Sequence, residues 1–303
     1  MLYSTAQRYF LETIQAGSFR AAAERLHVAP SALSRQVHLL EEEIGAPLLE
    51  RTRGRTPLRL TAAGEILVRA IRAGNLEIER GQSEIEALRG LRRGRVRLGI
   101  SETLARDLLP ALLGEFRRKH ARVVFEVTVT GAAAMNRLLR DDEIDLAIAY
   151  NPVPAREIQW VAAHKLEAGL IVRPDHPLAK RAAVKLRELS EIDFVLPDHT
   201  LALRALLEDM FARGKLKPQC VFSSNSFEML RNAVLAGFGA ALQHRDFARA
   251  EINSGALVFI PLRDPRIGAQ RVVCAVREGR HLPAAAAVLV EMLRLRFAGL
   301  FPR

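Results

Sequence analysis

The feature that most constrains this chain is a change of hydrophobic period near Gly94. Before it, apolar residues recur at helical spacing in segments punctuated by Gly, Ser and Pro. After it, short strand-like runs alternate with helical stretches. The two patterns bury their apolar faces differently, so at least two domains are expected. At 303 residues, 49% of them hydrophobic, the chain can give each its own core.

The segment 1–60 predicts short helices. Tyr9, Phe10, Thr13 and Ile14 begin one apolar face. Ser18 is an N-cap for a second helix over 19–27, with Phe19, Ala22, Ala23 and Leu26 on one side. Val28 and Ala29 interrupt. Pro30 then suits the first turn of a third helix, where its missing N–H costs nothing. In that helix, running to about position 43, Leu33, Val37, Leu40 and Ile44 should point inward. Ser31, Ser34, Arg35 and His38 lie on the opposite face, and Gly45 ends it. Two extended pieces, near 48–51 and 58–60, flank a turn carrying Arg51, Arg53, Arg55 and Arg59. A run of arginines is commonly a solvated loop. Directly after a helix-turn-helix pattern it reads as a basic wing.

Thr61 caps a long helix over about 62–92. Leu67, Ile71, Ile78, Ile85 and Leu88 fit a heptad, with Gly74 and Gly81 at other positions of the same seam. Each interior glycine costs about 1 kcal/mol relative to alanine. Such a helix is expected to pack on a partner, with Ile71, Ile78 and Ile85 in a dimer contact. Packing on its own domain is the alternative.

Beyond Gly94, RVRLGI, VVFEVTVT, DLAIAY, GLIVRP, DFVLP, QCVFSS and RVVCAV predict strands of a parallel α/β sheet, closed by a helix over 282–297. Ligands of open α/β sheets bind beyond the carboxyl ends of the strands. Ser101 and Thr103 follow the first strand; Thr130 and Gly131 follow the second. Hydroxyls with free N–H groups at a helix start suit a carboxylate, although Glu102 opposes an anion unless it turns away. Simple helix capping is the alternative for each.

The segment 1–65 resembles the LysR-type transcriptional regulators. The resemblance rests on AGSFRAAAERL, SALSRQVHLLEEEIG, LLERTRGRTPLRLT and TAAGE, and extends more loosely through FRRKH, EIDLAIAY, VRPDHPLA and VLAGFGAAL. It implies a winged helix-turn-helix over 1–60, a linker and dimerisation helix over 61–92, and an effector-binding domain over 93–303. That domain resembles periplasmic binding proteins, with lobe I at 93–161 plus 267–303 and lobe II at 162–266. The resemblance also implies double-stranded DNA and a small-molecule effector as partners, and a dimer, or a tetramer built as a dimer of dimers. His199, Thr200, Asn225 and Ser226 become second-lobe effector candidates by family position. The DNA-facing candidates are Ser18, Pro30, Ser31, Ser34, Arg35, Arg51, Arg53 and Arg55. Of these Arg35 is the base reader, since arginine holds guanine O6 and N7 bidentately. The family often opens this helix with Ser-Gln-Pro or Thr-Gln-Pro; here Ala29, Pro30 and Ser31 stand there, and the glutamine is absent. Leu49 stands where phenylalanine is common.

The net charge of +11 favours a polyanion. Its distribution does not, because the segment 1–92 carries 13 Lys and Arg against 11 Asp and Glu, while 93–303 carries 32 against 23. The +9 of the second segment suits an anionic effector. Cys220 and Cys274 are too far apart for a zinc site or a disulfide framework and are expected as buried thiols in strands. No G-x-S-x-G, P-loop or H-E-x-x-H occurs, so no enzyme, metal or cofactor is expected. No apolar run is long enough to span a bilayer, and the start of the chain has no signal-peptide pattern. Both predict a cytoplasmic protein with no membrane partner. A solute-binding protein and an enzyme with a DNA-binding appendage are the rival classes.

Overall fold

The computed structural model describes residues 4–50, 58–87, 94–106, 108–264 and 270–301. They form two compact units, 1–85 and 86–303.

In the first unit, helix α1 (Thr5–Ala16) starts at a reciprocal cap between Ser4 and Gln7, and α2 (Phe19–Leu26) starts at Ser18. Helix α3 (Pro30–Ile44) has Pro30 in its first turn and ends on Gly45 at φ 73°. Phe10, Ala22, Ala23, Leu33, Val37 and Leu40 are buried as the spacing predicts. Ile44 differs: it is exposed, because the chain turns at Gly45 and returns Leu48 to the core instead. Helix α4 (Ala62–Ala87) begins where Thr61 Oγ1 accepts the Gly64 N–H at 3.0 Å. A side chain at Gly64 would collide with the Leu48 carbonyl, so only glycine lets α4 approach the chain this closely. Val68 and Ile71 complete this core.

The second unit contains a five-stranded sheet of order β2-β1-β3-β10-β4. Strands β1 (Gly94–Ile100), β2 (Val123–Val129) and β3 (Leu146–Tyr150) are parallel. Between them run α5 (Glu102–Ala105), α6 (Leu108–Lys119) and α7 (Ala132–Arg140). Strands β4 (Ile158–Leu166) and β10 (Gln270–Arg277) pair with each other, and β10 runs antiparallel to β3. The expected parallel sheet is therefore mixed, because β10 returns from the second lobe against the direction of β3. Helix α11 (Ala284–Leu300) packs its Leu289, Leu293 and Phe297 onto this sheet. The second lobe holds an antiparallel sheet, β8-β5-β9, and a parallel pair, β6-β7. These are β5 (Ala168–Val172), β6 (Asp193–Pro197), β7 (Gln219–Ser224), β8 (Ala241–His244) and β9 (Val258–Pro261), with α8 (Ala202–Gly214), α9 (Phe227–Leu235) and α10 (Arg249–Asn253). Strand β4 pairs with β10 as far as Leu166, so the chain leaves the first sheet at Glu167, not at 161–162. The returning boundary, 266–267, lies outside the described residues.

A buried charge cluster fixes the foot of the first sheet. Asp145 accepts the Arg97 N–H at 2.8 Å, the Arg97 guanidinium at 2.8 Å and the Arg280 guanidinium at 2.6 Å. Beside it, Asp142 pairs with Arg277 and Arg280. Burial raises the Asp142 carboxyl, against the pull of these guanidiniums. Removing one partner strands the others away from water. Asp145→Ala is expected to destabilise this unit by about 3–5 kcal/mol in chemical denaturation; a loss below about 1 kcal/mol would show that the cluster is not structural.

Candidate functional site

The N-terminal unit presents one polar helix face. Pro30, Ser31, Ser34 and Arg35 are exposed on α3, on the side away from buried Leu33, Val37 and Leu40. The Ser18 hydroxyl accepts the Ala21 N–H at 3.2 Å, so it acts as the cap of α2. The acidic C-terminal end of α3 is structural. Its Glu41 Oε1 accepts the N–H groups of Leu48 at 2.7 Å and Leu49 at 3.2 Å. Leu49 then bridges Leu60, and Thr61 Oγ1 donates to the Pro47 carbonyl at 2.6 Å. The base of the wing is thus tied to α3 and to the start of α4. Arg51, Arg53 and Arg55 lie outside the described residues. Of the heptad residues, Ile71 is buried in the unit's own core, Ile78 is half-buried and Ile85 is exposed.

In the second unit, Ser101 and Thr130 follow neighbouring parallel strands, with Ile100 opposite Val129. Thr200 and Asn225 follow β6 and β7, which pair Pro197 with Ser224. Each set therefore shares one sheet edge. Glu102 joins the two edges: its Oε1 accepts the Phe227 N–H at 3.1 Å, placing Ser101–Thr103 against Asn225 and Ser226. The carboxylate that opposed an anion turns neither to solvent nor into open space; it holds the start of α9. Several candidate hydroxyls are also engaged locally. Ser101 Oγ accepts the Tyr150 N–H at 3.2 Å, Thr200 donates to Asp198, and Ser226 accepts the Met229 N–H. Helix α5 is a single turn, so it offers little of the expected helix N-terminus. Gly131 opens α7, and His199 is exposed beside Glu208.

Sequence reasoning missed the groups that bind lobe to lobe. Arg106 pairs at 2.6 Å with Glu251 of α10, whose carboxylate also lies 3.4 Å from Arg231 of α9. Arg249 donates to the Leu300 carbonyl at 2.7 Å. Tyr150 stacks on His244 with ring centroids 4.0 Å apart, and the hydroxyls of Tyr150 and Thr103 face one another, buried, without a hydrogen bond of good geometry. These partners lie far apart along the chain, so no local pattern signals them. The two cysteines divide: Cys274 is buried and its thiol pushed up to about 12, whereas Cys220, expected buried, is exposed because β7 is the outer strand of a two-stranded pair.

A profile described as "Bacterial regulatory helix-turn-helix protein, lysR family" matches residues 5–65, and one described as "LysR substrate binding domain" matches residues 89–298. The chain belongs to the LysR family of transcriptional regulators. It is a DNA-binding transcriptional regulator with an effector-binding domain, in a family of regulators and not of enzymes. Curated relatives include an uncharacterised HTH-type transcriptional regulator, YybE, of Bacillus subtilis, 30% identical over 77% of this chain and 80% of that protein. Another is a RuBisCO operon transcriptional regulator of Allochromatium vinosum, 28% identical over 95% of this chain and 96% of that protein. Among solved structures, a full-length OxyR variant of Pseudomonas aeruginosa shares the fold with a TM-score of 0.69 at 21% identity, covering 99% of this chain and 97% of that one. Among the described residues, no helix of this LysR regulator is long and apolar enough to cross a membrane.

Burial pushes the His244 imidazole down from 6.5 to about 4; Asp246 opposes the shift and Arg249 adds to it. A histidine kept neutral in the folded state but free to protonate in the unfolded one costs nothing above pH 6.5. Its penalty grows as pH falls from 6.5 towards 4, reaching roughly 3 kcal/mol. Denaturation of wild type and His244→Phe across pH 4–7 should therefore show wild type losing more stability than the variant below pH 6.5. Parallel curves would remove His244 from the acid sensitivity.

Proposed function

We propose that this LysR regulator acts in the cytoplasm, reads duplex DNA through the exposed face of α3 and the basic wing, and changes activity when a small anionic effector binds between its lobes. The observation that carries the DNA reading is the α3 face itself. Ser31, Ser34 and Arg35 stand free of acidic neighbours on the first two turns, the part of a recognition helix that reaches base edges. Arg35 reads a guanine; Ser31 and Ser34 contact base or phosphate, and Pro30 rests on a thymine methyl. The wing arginines hold phosphates and set salt dependence. In mobility shifts against operator and random duplexes, Arg35→Ala is expected to cost about 1–3 kcal/mol of discrimination. An unchanged ratio of affinities would remove Arg35 from the readout.

The effector is placed where Ser101, Thr103, Thr130 and Gly131 of the first lobe meet Thr200, Asn225 and Ser226 of the second, with His199 at the margin. An occupant able to shift the lobes must bind their two arrangements unequally, and it competes with the Glu102 and Arg106 contacts that hold the present one.

Self-association is assigned to α4. Ile66 and Ile85 are exposed on it at 60% and 58%, beyond what a solitary helix leaves in water without cause. With Ile71 taken by the core, Ile78 and Ile85 supply the contact of a two-fold dimer, and two dimers a tetramer. Ile85→Glu leaves the core untouched and should lower the mass measured by light scattering; an unchanged mass would exclude this face from the interface.

A further inference from the structure

A cavity of about 380 Å³ opens beside the point where the chain passes from the first lobe to the second. It does not coincide with the cleft residues. One side comes from the end of β4 and the crossover, with His164 and Leu166; the other comes from the second lobe, with His244, Arg245 and Phe259. The volume falls within the range of small-molecule pockets.

The chemistry of the lining is specific. Its half-buried surface is flat and apolar: the rings of His164, His244 and Phe259, and Leu166. His164 stacks on Phe301 and His244 on Tyr150, so both imidazoles are held in place. The Nδ1 atom of His244 is buried and has no hydrogen-bond partner among the described residues. Leaving such an atom unmatched is costly, and a ligand group that reaches it recovers the loss. The charges are unevenly committed. Asp246 is bound by Arg249. Lys165 and Arg245 have no carboxylate partner among the described residues, and Arg245 lies over the Phe259 ring, 5.8 Å from its centroid. Glu167 repels an acid from its own side and so directs one towards Arg245. The histidines and acids around the cavity do not converge as a metal site among the described residues.

We propose that this cavity is a second small-molecule site, separate from the cleft, and that it takes a small planar acid: an aromatic or heterocyclic ring with one carboxylate. The ring lies against His164, Phe259 and Leu166, the carboxylate meets Arg245, and a hydrogen-bonding group on the ring meets His244 Nδ1. Such an occupant touches both sides of the Glu167 crossover. It is also connected to the cleft, since Tyr150 stacks on His244 while its backbone N–H holds the Ser101 hydroxyl.

The test uses the full chain and three probes, nicotinate, 4-hydroxybenzoate and indole-3-carboxylate, with cyclohexanecarboxylate as the non-planar control. Binding is followed by saturation-transfer NMR and calorimetry on wild type, Arg245→Gln, His244→Phe and the cleft pair Ser101→Ala with Thr130→Val. At least one planar probe should bind better than the control. Its affinity should fall tenfold or more in Arg245→Gln, a partly exposed change that leaves the fold intact, and again in His244→Phe, while the cleft pair binds as wild type does. The proposal is overturned if no planar probe binds, or if Arg245→Gln binds undiminished. A loss confined to the cleft pair also overturns it, and would instead support the cleft as the acid site; cleft-pair binding unchanged beside a loss in Arg245→Gln leaves the cleft reading standing on its own test.

Discussion

The carboxylate of Asp145 is the fixed point of the effector domain. It collects a backbone N–H and a guanidinium from Arg97 and a second guanidinium from Arg280, so it sets where β1 enters the sheet relative to β3 and β10. A strand fixed at its foot is fixed at its far end as well. That end is Ile100, from which the Ser101–Arg106 loop emerges. The position of the cleft therefore depends on an ion cluster at the opposite end of the same strand. Such a cluster contributes less net stability than its contacts suggest, because burying the charges is costly; its effect is to leave one register with every partner matched.

The DNA-binding unit uses the same device more lightly. A recognition helix with three glutamates at its C-terminal end would repel a phosphate backbone along that half. Glu41 is turned onto the N–H groups of Leu48 and Leu49, which ties the wing base to the helix. Gly64 lets α4 begin against the Leu48 carbonyl. Helix, wing base and linker helix thus form one body, so a reorientation of α4 carries the reading face with it.

Between the lobes, contacts from the first-strand loop dominate. Glu102 reaches α9, Arg106 reaches α10, and Thr103 faces Tyr150, which in turn stacks on His244. These are polar, partly exposed links, not a hydrophobic seam. Polar links of this kind can be exchanged for ligand contacts at small net cost, which suits a domain that switches between arrangements.

Much of this was legible in the sequence. The helical periods of the N-terminal segment, the caps at Ser18 and Thr61, the stop at Gly45 and the strand runs after Gly94 are local signals, and local sterics and hydrogen bonding decide them. The split between Leu33, Val37 and Leu40 inside and Ser31, Ser34 and Arg35 outside follows from the helical period alone. What tertiary structure decided depends on partners distant in sequence. Ile44 lost its core place to Leu48, and Ile71 was drawn from the predicted seam into its own domain. Strand β4 stayed with β10 to Leu166, Cys220 fell on an outer strand, and Glu102 found the N–H of Phe227. Periodicity states which face of an element is apolar; only the packed chain states which neighbour covers it.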